Sequence, residues 1–390
     1  MERTRAGYCM ARDRWGSASL LSMLICVRPG VGVRRRAGDL SPADGRRSFE
    51  DVGPRNSQAQ DKDTGFMTSH GDWKIPAAVQ PKAGDYAYDL DRALSAIVSL
   101  STRIPPEAFT AETLGTERAG NGVVIREDGL VLTIGYLVTE ADSVWMTTHD
   151  GRSVPGHVVG FDAVTGFGLV QALGDLALPP LPIGRSASLK IGDKAVVAGA
   201  GGRTRCVAAE LIARQEFAGY WEYVLDEALF TAPSHPHWGG TALIGPAGDL
   251  LGIGSLQLQQ GGAEGPKAIN LVVPIDLLPP ILEDLTTRGR ADRPTRPWLG
   301  LYASDSDGAV VVMGLADDGP AESADLRVGD VLAAVAGEPV EDLAGFFRQV
   351  WALGEAGVRV PLTIERDGRP IKLVVTSSDR ERFLVSPQLH

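Results

Sequence analysis

The chain has 390 residues, of which 44% are hydrophobic. That is enough for two or three domains with real cores, and it excludes disorder throughout. Lys and Arg number 38 against 49 Asp and Glu, a formal charge of −11, which is the wrong sign for a protein whose main partner is a nucleic-acid backbone. Residues 1–66 hold 12 basic and 8 acidic side chains and the remainder 26 and 41, so the two segments differ in kind.

Of Cys9, Cys26 and Cys206, only the last lies beyond residue 66, so the compact part has no disulfide framework. No apolar run approaches the roughly 18 residues needed to span a bilayer. The stretch Ala18–Val27, behind Arg5, Arg12 and Arg14, has the length of a signal h-region. It is followed by Arg28 and Arg34-Arg35-Arg36 rather than by a small-residue cleavage site. Residues 1–66 lack a sustained apolar period and read as disordered or untranslated, with Met67 as the start. A chain starting at Met67 carries no export signal, so the location expected is cytoplasmic, the alternative being export if 18–27 is a signal.

Residues 67–119 form an N-terminal segment with one helix, in which Tyr86, Leu90, Ala93, Leu94 and Ile97 recur at helical spacing and Pro105-Pro106 end the run. From Gly120 to about Pro274, short apolar runs alternate with turn signals such as Glu127-Asp128-Gly129, His149-Asp150-Gly151 and Gly245-Pro246-Ala247-Gly248. Such punctuation marks an all-β barrel or sandwich. Hairpins are expected for 122–125 with 130–134, 143–147 with 153–159, and 243–244 with 250–258. A helix over 275–285 is strained by Pro279-Pro280 and closed by Arg288 and Gly289, and a charged linker covers 290–296. Strands near 309–312, 331–335 and 360–365 and a helix over 340–353 make a smaller mixed domain, 297–380, before a tail at 381–390.

The order of these motifs resembles the HtrA/Deg family of trypsin-like serine endopeptidases with a C-terminal PDZ domain. Five stretches carry the resemblance: 121–133, 150–162, 181–193, 239–253 and Arg296-Pro297-Trp298-Leu299-Gly300-Leu301. It implies a mainly β fold, in which a trypsin-like double β-barrel over 120–289 precedes a small α+β PDZ domain. It also implies a serine endopeptidase activity without cofactor or metal, and homo-oligomers, trimers in the family.

Such chemistry needs a hydroxyl nucleophile, an imidazole base, a carboxylate to orient it and backbone N–H groups facing an oxyanion. The position of the family's histidine falls on Tyr136, whose phenol cannot act as a base at neutral pH. That of its aspartate, after Asp162-Ala163-Val164-Thr165, falls on Gly166. The nucleophile's position is Gly239 without a gap from Gly248, or Trp238 if the register shifts by one. The shifted register also puts Pro236, which lacks an N–H, in the oxyanion hole, whereas the ungapped one keeps His237 there. No catalytic residue is therefore assigned, and the chain reads as a pseudoprotease. The competing reading, an active endopeptidase with a displaced triad, finds no second set at family spacing among the six histidines (70, 149, 157, 235, 237, 390).

His235 and His237 read as loop-exposed histidines without a metal, Cys206 as a small buried hydrophobe, and Trp238 either as a filler of the former cleft or as a core aromatic. In the PDZ domain, a peptide C-terminus adds as a strand while a tight loop binds its carboxylate. By resemblance Gly300 lies in that loop and Leu299 and Leu301 flank the pocket. Leu343, Phe346, Phe347 and Val350 share one helix face and offer a phenylalanine to the groove. The partner expected is a peptide or protein C-terminus, in quality control or scaffolding.

Overall fold

The computed structural model describes residues 26–27, 73–261 and 265–385. The expectations for 1–66 and for a start at Met67 lie outside the described residues, except Cys26–Val27, a two-residue strand parallel to Gln259–Gln260. Among the described residues no helix is long and apolar enough to cross a membrane.

The helix expected over 86–100 is much shorter. Asp89 caps it, accepting from the Arg92 N–H, and α1 runs only from Leu90 to Ser95. Ile97–Arg103 is a strand, β1, paired with β2 (Glu117–Val124) on one side and β4 (Ser143–Thr147) on the other. Ile97 and Leu100, three residues apart, fit one helical stripe but stand on opposite faces of a strand, and both are buried in β1. A short helix cannot hold its residues against two ladders of interstrand hydrogen bonds. The barrel thus begins at Ile97, well before residue 120.

With β3 (Leu130–Ile134), β5 (Ser153–Phe161) and β6 (Phe167–Ala172), these strands close a six-stranded barrel in the order β1-β2-β3-β6-β5-β4. A second barrel follows from β7 (Lys194–Ala198), β8 (Cys206–Gly219), β9 (Tyr223–Ala232), β10 (Ala242–Ile244), β11 (Leu250–Gln260) and β12 (Lys267–Pro274). Its order is β11-β10-β7-β8-β9-β12, closed by β11 on β12. One apolar core runs through both barrels, which places any shared site along their junction. The three expected hairpins form as β2/β3, β4/β5 and β10/β11.

Ile275–Leu277 is a single 3₁₀ turn, and α2 spans Pro279–Arg288. The two prolines start this helix rather than strain it, because the first N–H groups of a helix have no intrahelical partner to lose. Gly289 ends it in the left-handed region. The linker is pinned: Arg293 pairs with the buried Asp162, and the Arg296 guanidinium lies 4.1 Å from the Trp351 ring centroid.

The C-terminal domain is a sheet of β13 (Leu301–Ser306), β14 (Ala309–Leu315), β15 (Val331–Val335), β17 (Arg359–Arg366) and β18 (Arg369–Thr376), with β16 (Glu338–Pro339) on β15. Helix α3 spans Leu343–Trp351, capped by Asp342. Its Phe346 and Phe347 are both fully buried, in a cluster that also takes in Val224 of the barrel. Residues 381–385 fold back instead of trailing. Phe383 packs on Trp298 and Phe109, and the Val385 N–H donates to the buried Glu140 carboxylate.

Candidate functional site

Tyr136, Gly166 and Gly239, where the resemblance places a triad, lie together at the junction of the barrels. Tyr136 sits on the one-turn helix Gly135–Leu137 that follows β3. Gly166 ends the Asp162–Thr165 turn, in which Asp162 Oδ2 accepts from the Thr165 N–H and hydroxyl. The Gly135 N–H donates to the Gly166 carbonyl at 2.7 Å, tying the two positions together. A β-carbon on Gly239 would lie 2.8 Å from the Tyr136 hydroxyl.

These groups are engaged with one another and with the surrounding fold. The Tyr136 hydroxyl donates to the Ser255 carbonyl at 2.8 Å and meets the Trp238 side chain, while burial drives its pKa above the ordinary 10. Trp238 is half-buried, so it neither fills the cleft wholly nor joins the core. At Gly166, φ is +85°, which disfavours any side chain. Its β-carbon would lie 3.0 Å from the Tyr223 hydroxyl, which already bonds the Thr165 carbonyl. An aromatic from the second barrel therefore stands where an aspartate would need room.

The expected loop-exposed histidines need correction in one case. His237 is exposed, but His235 is 0% exposed. Its Nε2 lies 2.8 Å from the Arg205 carbonyl and its Nδ1 accepts from the His237 N–H at 3.1 Å. That pattern fits a neutral ring, whose pKa burial pulls down to about 4. Both ring nitrogens of His235 are engaged away from Ser234, whose hydroxyl accepts from the Gln257 side-chain amide at 3.1 Å. The His237 N–H, an oxyanion donor in the ungapped register, is turned inward onto His235. Trp73 edges His235 and tilts on His237 at 4.3 Å between ring centroids, which makes the pair part of a packed aromatic cluster. His149 is exposed beside the Asp150-Gly151 turn, and Cys206 is buried, its thiol pushed up to about 12. A cavity of about 170 Å³ remains beside Tyr136 and Gly166, walled by Phe109, Phe161, Tyr220 and Trp221.

The second candidate centre is the loop before β13. Leu299 and Leu301 are buried and Gly300 has φ +72°, the conformation that turns three successive N–H groups to one side. They face a carboxylate that sequence reasoning missed. The Leu299 N–H lies 3.1 and 3.0 Å from the two Glu222 carboxylate oxygens, and the Gly300 and Leu301 N–H groups donate to Oε1 at 2.8 and 3.2 Å. Burial raises the Glu222 pKa to about 7, against the downward pull of these amides and of Arg380. Only an acid beside the aromatic run Tyr220-Trp221 hinted at it in the sequence, and nothing local points across to another domain.

Two family models match the chain: a trypsin-like peptidase domain over residues 120–253 and a PDZ domain over 297–376. The chain is HtrA/Deg-like. It is 27% identical over 264 residues to a probable periplasmic serine endoprotease, DegP-like, of Pseudomonas fluorescens, covering 64% of this chain and 54% of that protein. It is 26% identical over 308 residues to the serine endoprotease DegS of Escherichia coli, covering 75% and 85%. The chain spans about half the length of the DegP-like relatives it matches. Among solved structures, HtrA-type protease AlgW with a tripeptide aligns at TM-score 0.46 and 21% identity over 76% of this chain and 97% of that one. A serine endoprotease from Yersinia pestis aligns at 0.46 and 23%, over 75% and 98%. The DegP-like relatives are named periplasmic, so a cytoplasmic location finds no support in them and the exported alternative fits better.

Proposed function

We propose that this chain is a non-catalytic HtrA-like protein that binds peptide or protein C-termini through Leu299, Gly300 and Leu301, outside the cytoplasm, in quality control or scaffolding. Its barrel unit would span 97–289, its linker 290–296 and its PDZ domain 297–380, and homo-oligomeric assembly belongs to the same proposal. The observation that carries the reading is the occupation of the catalytic space. A tyrosine hydroxyl stands 2.8 Å from where a nucleophile's β-carbon would be, and Gly166 offers no carboxylate. Losing even one triad member costs orders of magnitude in rate.

The reading is tested with the full chain, unfolded casein and a fluorophosphonate probe that labels activated serines. The expected result is neither cleavage nor labelling, and a labelled serine overturns the non-catalytic assignment. Binding is read by fluorescence polarisation of a C-terminal peptide. Gly300→Val, which meets the Trp298 ring and a φ of +72°, is expected to weaken it at least tenfold.

A further inference from the structure

Part of the wall of the cavity beside Tyr136 comes from outside both matched domains. Phe109, Thr113 and Leu114 precede β2, and Arg380 and Leu384 follow β18. These two segments hold each other: Phe383 packs on Phe109, and the Glu140 carboxylate that accepts from the Phe109 and Thr110 N–H groups also accepts from that of Val385. The facing wall is aromatic, from Phe161 of β5, Tyr220 and Trp221 of the β8/β9 turn (Tyr220–Glu222) and Tyr302 of β13. At about 170 Å³ the space suits a single ring, since an apolar cavity of about 150 Å³ takes up benzene.

Two charged residues line this space, and they differ. Asp162 is satisfied by the Thr165 N–H and hydroxyl and by Arg293. Arg380 is not: its buried Nε has no hydrogen-bond partner among the described residues. The carboxylates that attract it, Glu222 and Glu140, are already held by the Leu299, Gly300 and Leu301 amides and by those of Phe109, Thr110 and Val385. Burial pulls the Arg380 pKa down, yet a guanidinium cannot shed its proton in a protein. A buried cation with an unfilled donor is costly until an anion meets it.

We propose that this cavity is a binding site for a small aromatic carboxylate, its ring among Phe109, Phe161, Tyr220 and Trp221 and its carboxylate on Arg380. A neutral ring would leave the guanidinium unpaired, and an inorganic anion would leave the aromatic walls against water. A single ring with one carboxylate meets both demands: rings pack edge-on or offset against aromatic walls, and arginine is the side chain whose planar fork matches a carboxylate. The proposal is independent of peptide binding at Gly300. It gives the space beside Tyr136 and Gly166 a small-molecule role in place of peptide cleavage.

The test titrates the full chain with phenylacetate, and with phenylacetamide as its neutral isostere, by calorimetry. Wild type is compared with Arg380→Gln, which keeps a polar stem and removes the charge. The expected result is saturable binding of phenylacetate by wild type, on the order of tenfold tighter than of the amide. In Arg380→Gln the preference for the acid is expected to vanish while the amide binds as before. Absence of phenylacetate binding by wild type overturns the site, and equal affinity for acid and amide overturns the role of Arg380. An acid preference that survives in Arg380→Gln places the anion elsewhere and overturns the assignment. A photolabel, 4-azidophenylacetate, locates the site on wild type whatever the variant's stability. Labelling confined to 109–114, 161, 220–223, 302 and 380–384 supports the proposal, and labelling elsewhere overturns it.

Discussion

The cleft between the barrels and the loop before β13 both hold backbone amides with a partner inside the chain, and the two partners differ in kind. In the cleft, the His237 N–H is spent on His235, and Tyr136 and Gly166 face one another across it. In the loop, three amides keep their geometry and are filled by the chain's own glutamate. The contrast teaches that side-chain chemistry can be lost by substitution at single positions. A nest of amides depends on backbone shape, and it persists as long as one glycine and the flanking core do.

The comparison can be broken most forcefully by restoring the triad. Tyr136→His, Gly166→Asp and Gly239→Ser together are expected to destabilise the chain by about 3 kcal/mol without fluorophosphonate labelling. The carboxylate introduced at position 166 would need both a left-handed backbone and the space held by Tyr223. Thermal melts and probe labelling check this, and labelling would mean that the cleft is still preorganised. A similar loss is expected on acidification. His235 is neutral when buried, with a folded pKa of about 4 against an ordinary 6.5, so the unfolded chain binds the extra proton. The contribution is fully present above pH 6.5 and falls away toward pH 4, by about 3 kcal/mol in all. Urea melts of wild type against His235→Gln across that range would isolate it.

The smallest effect sharpens the other side of the comparison. Docked Glu222, faced by Arg380 and Tyr302, holds its proton more tightly than a free glutamate at 4.5. The docked turn is therefore favoured below pH 4.5 and progressively weakened as pH rises through 7. The stability that this contact contributes should fall by about 1 kcal/mol from pH 6 to pH 8 in wild type and stay flat in Glu222→Gln. Urea melts at the two pH values would show it.

Much of the fold is legible because it is local. Turn residues such as Asp150-Gly151 and Gly248 announce hairpins through the conformations that they alone adopt readily, and the alternation between them reads as barrel strands. The stretch 86–100 misleads because the helical spacing of Leu90, Ala93, Leu94 and Ile97 runs on past the end of the short helix, and only pairing with two neighbours turns the chain from Ile97 into a strand. Of the candidate sites, Tyr136, Gly166, Gly239 and Leu299–Leu301 can be named from motif order. The burial of His235 and the reach of Glu222 cannot, because each depends on residues far away in the chain.

The sequence by itself determined which groups stand at Tyr136 and Gly166, since no arrangement in space puts an imidazole on the one or a carboxylate on the other. It also determined where the backbone must turn, because glycine and proline restrict local dihedrals whatever surrounds them. The tertiary structure alone decided what occupies the space so vacated: Tyr223 beside Gly166, the Tyr136 hydroxyl beside Gly239 and the Glu222 carboxylate on the Gly300 loop. Such occupancy is a property of the packed interior, where each group is fixed by elements that the sequence keeps far apart.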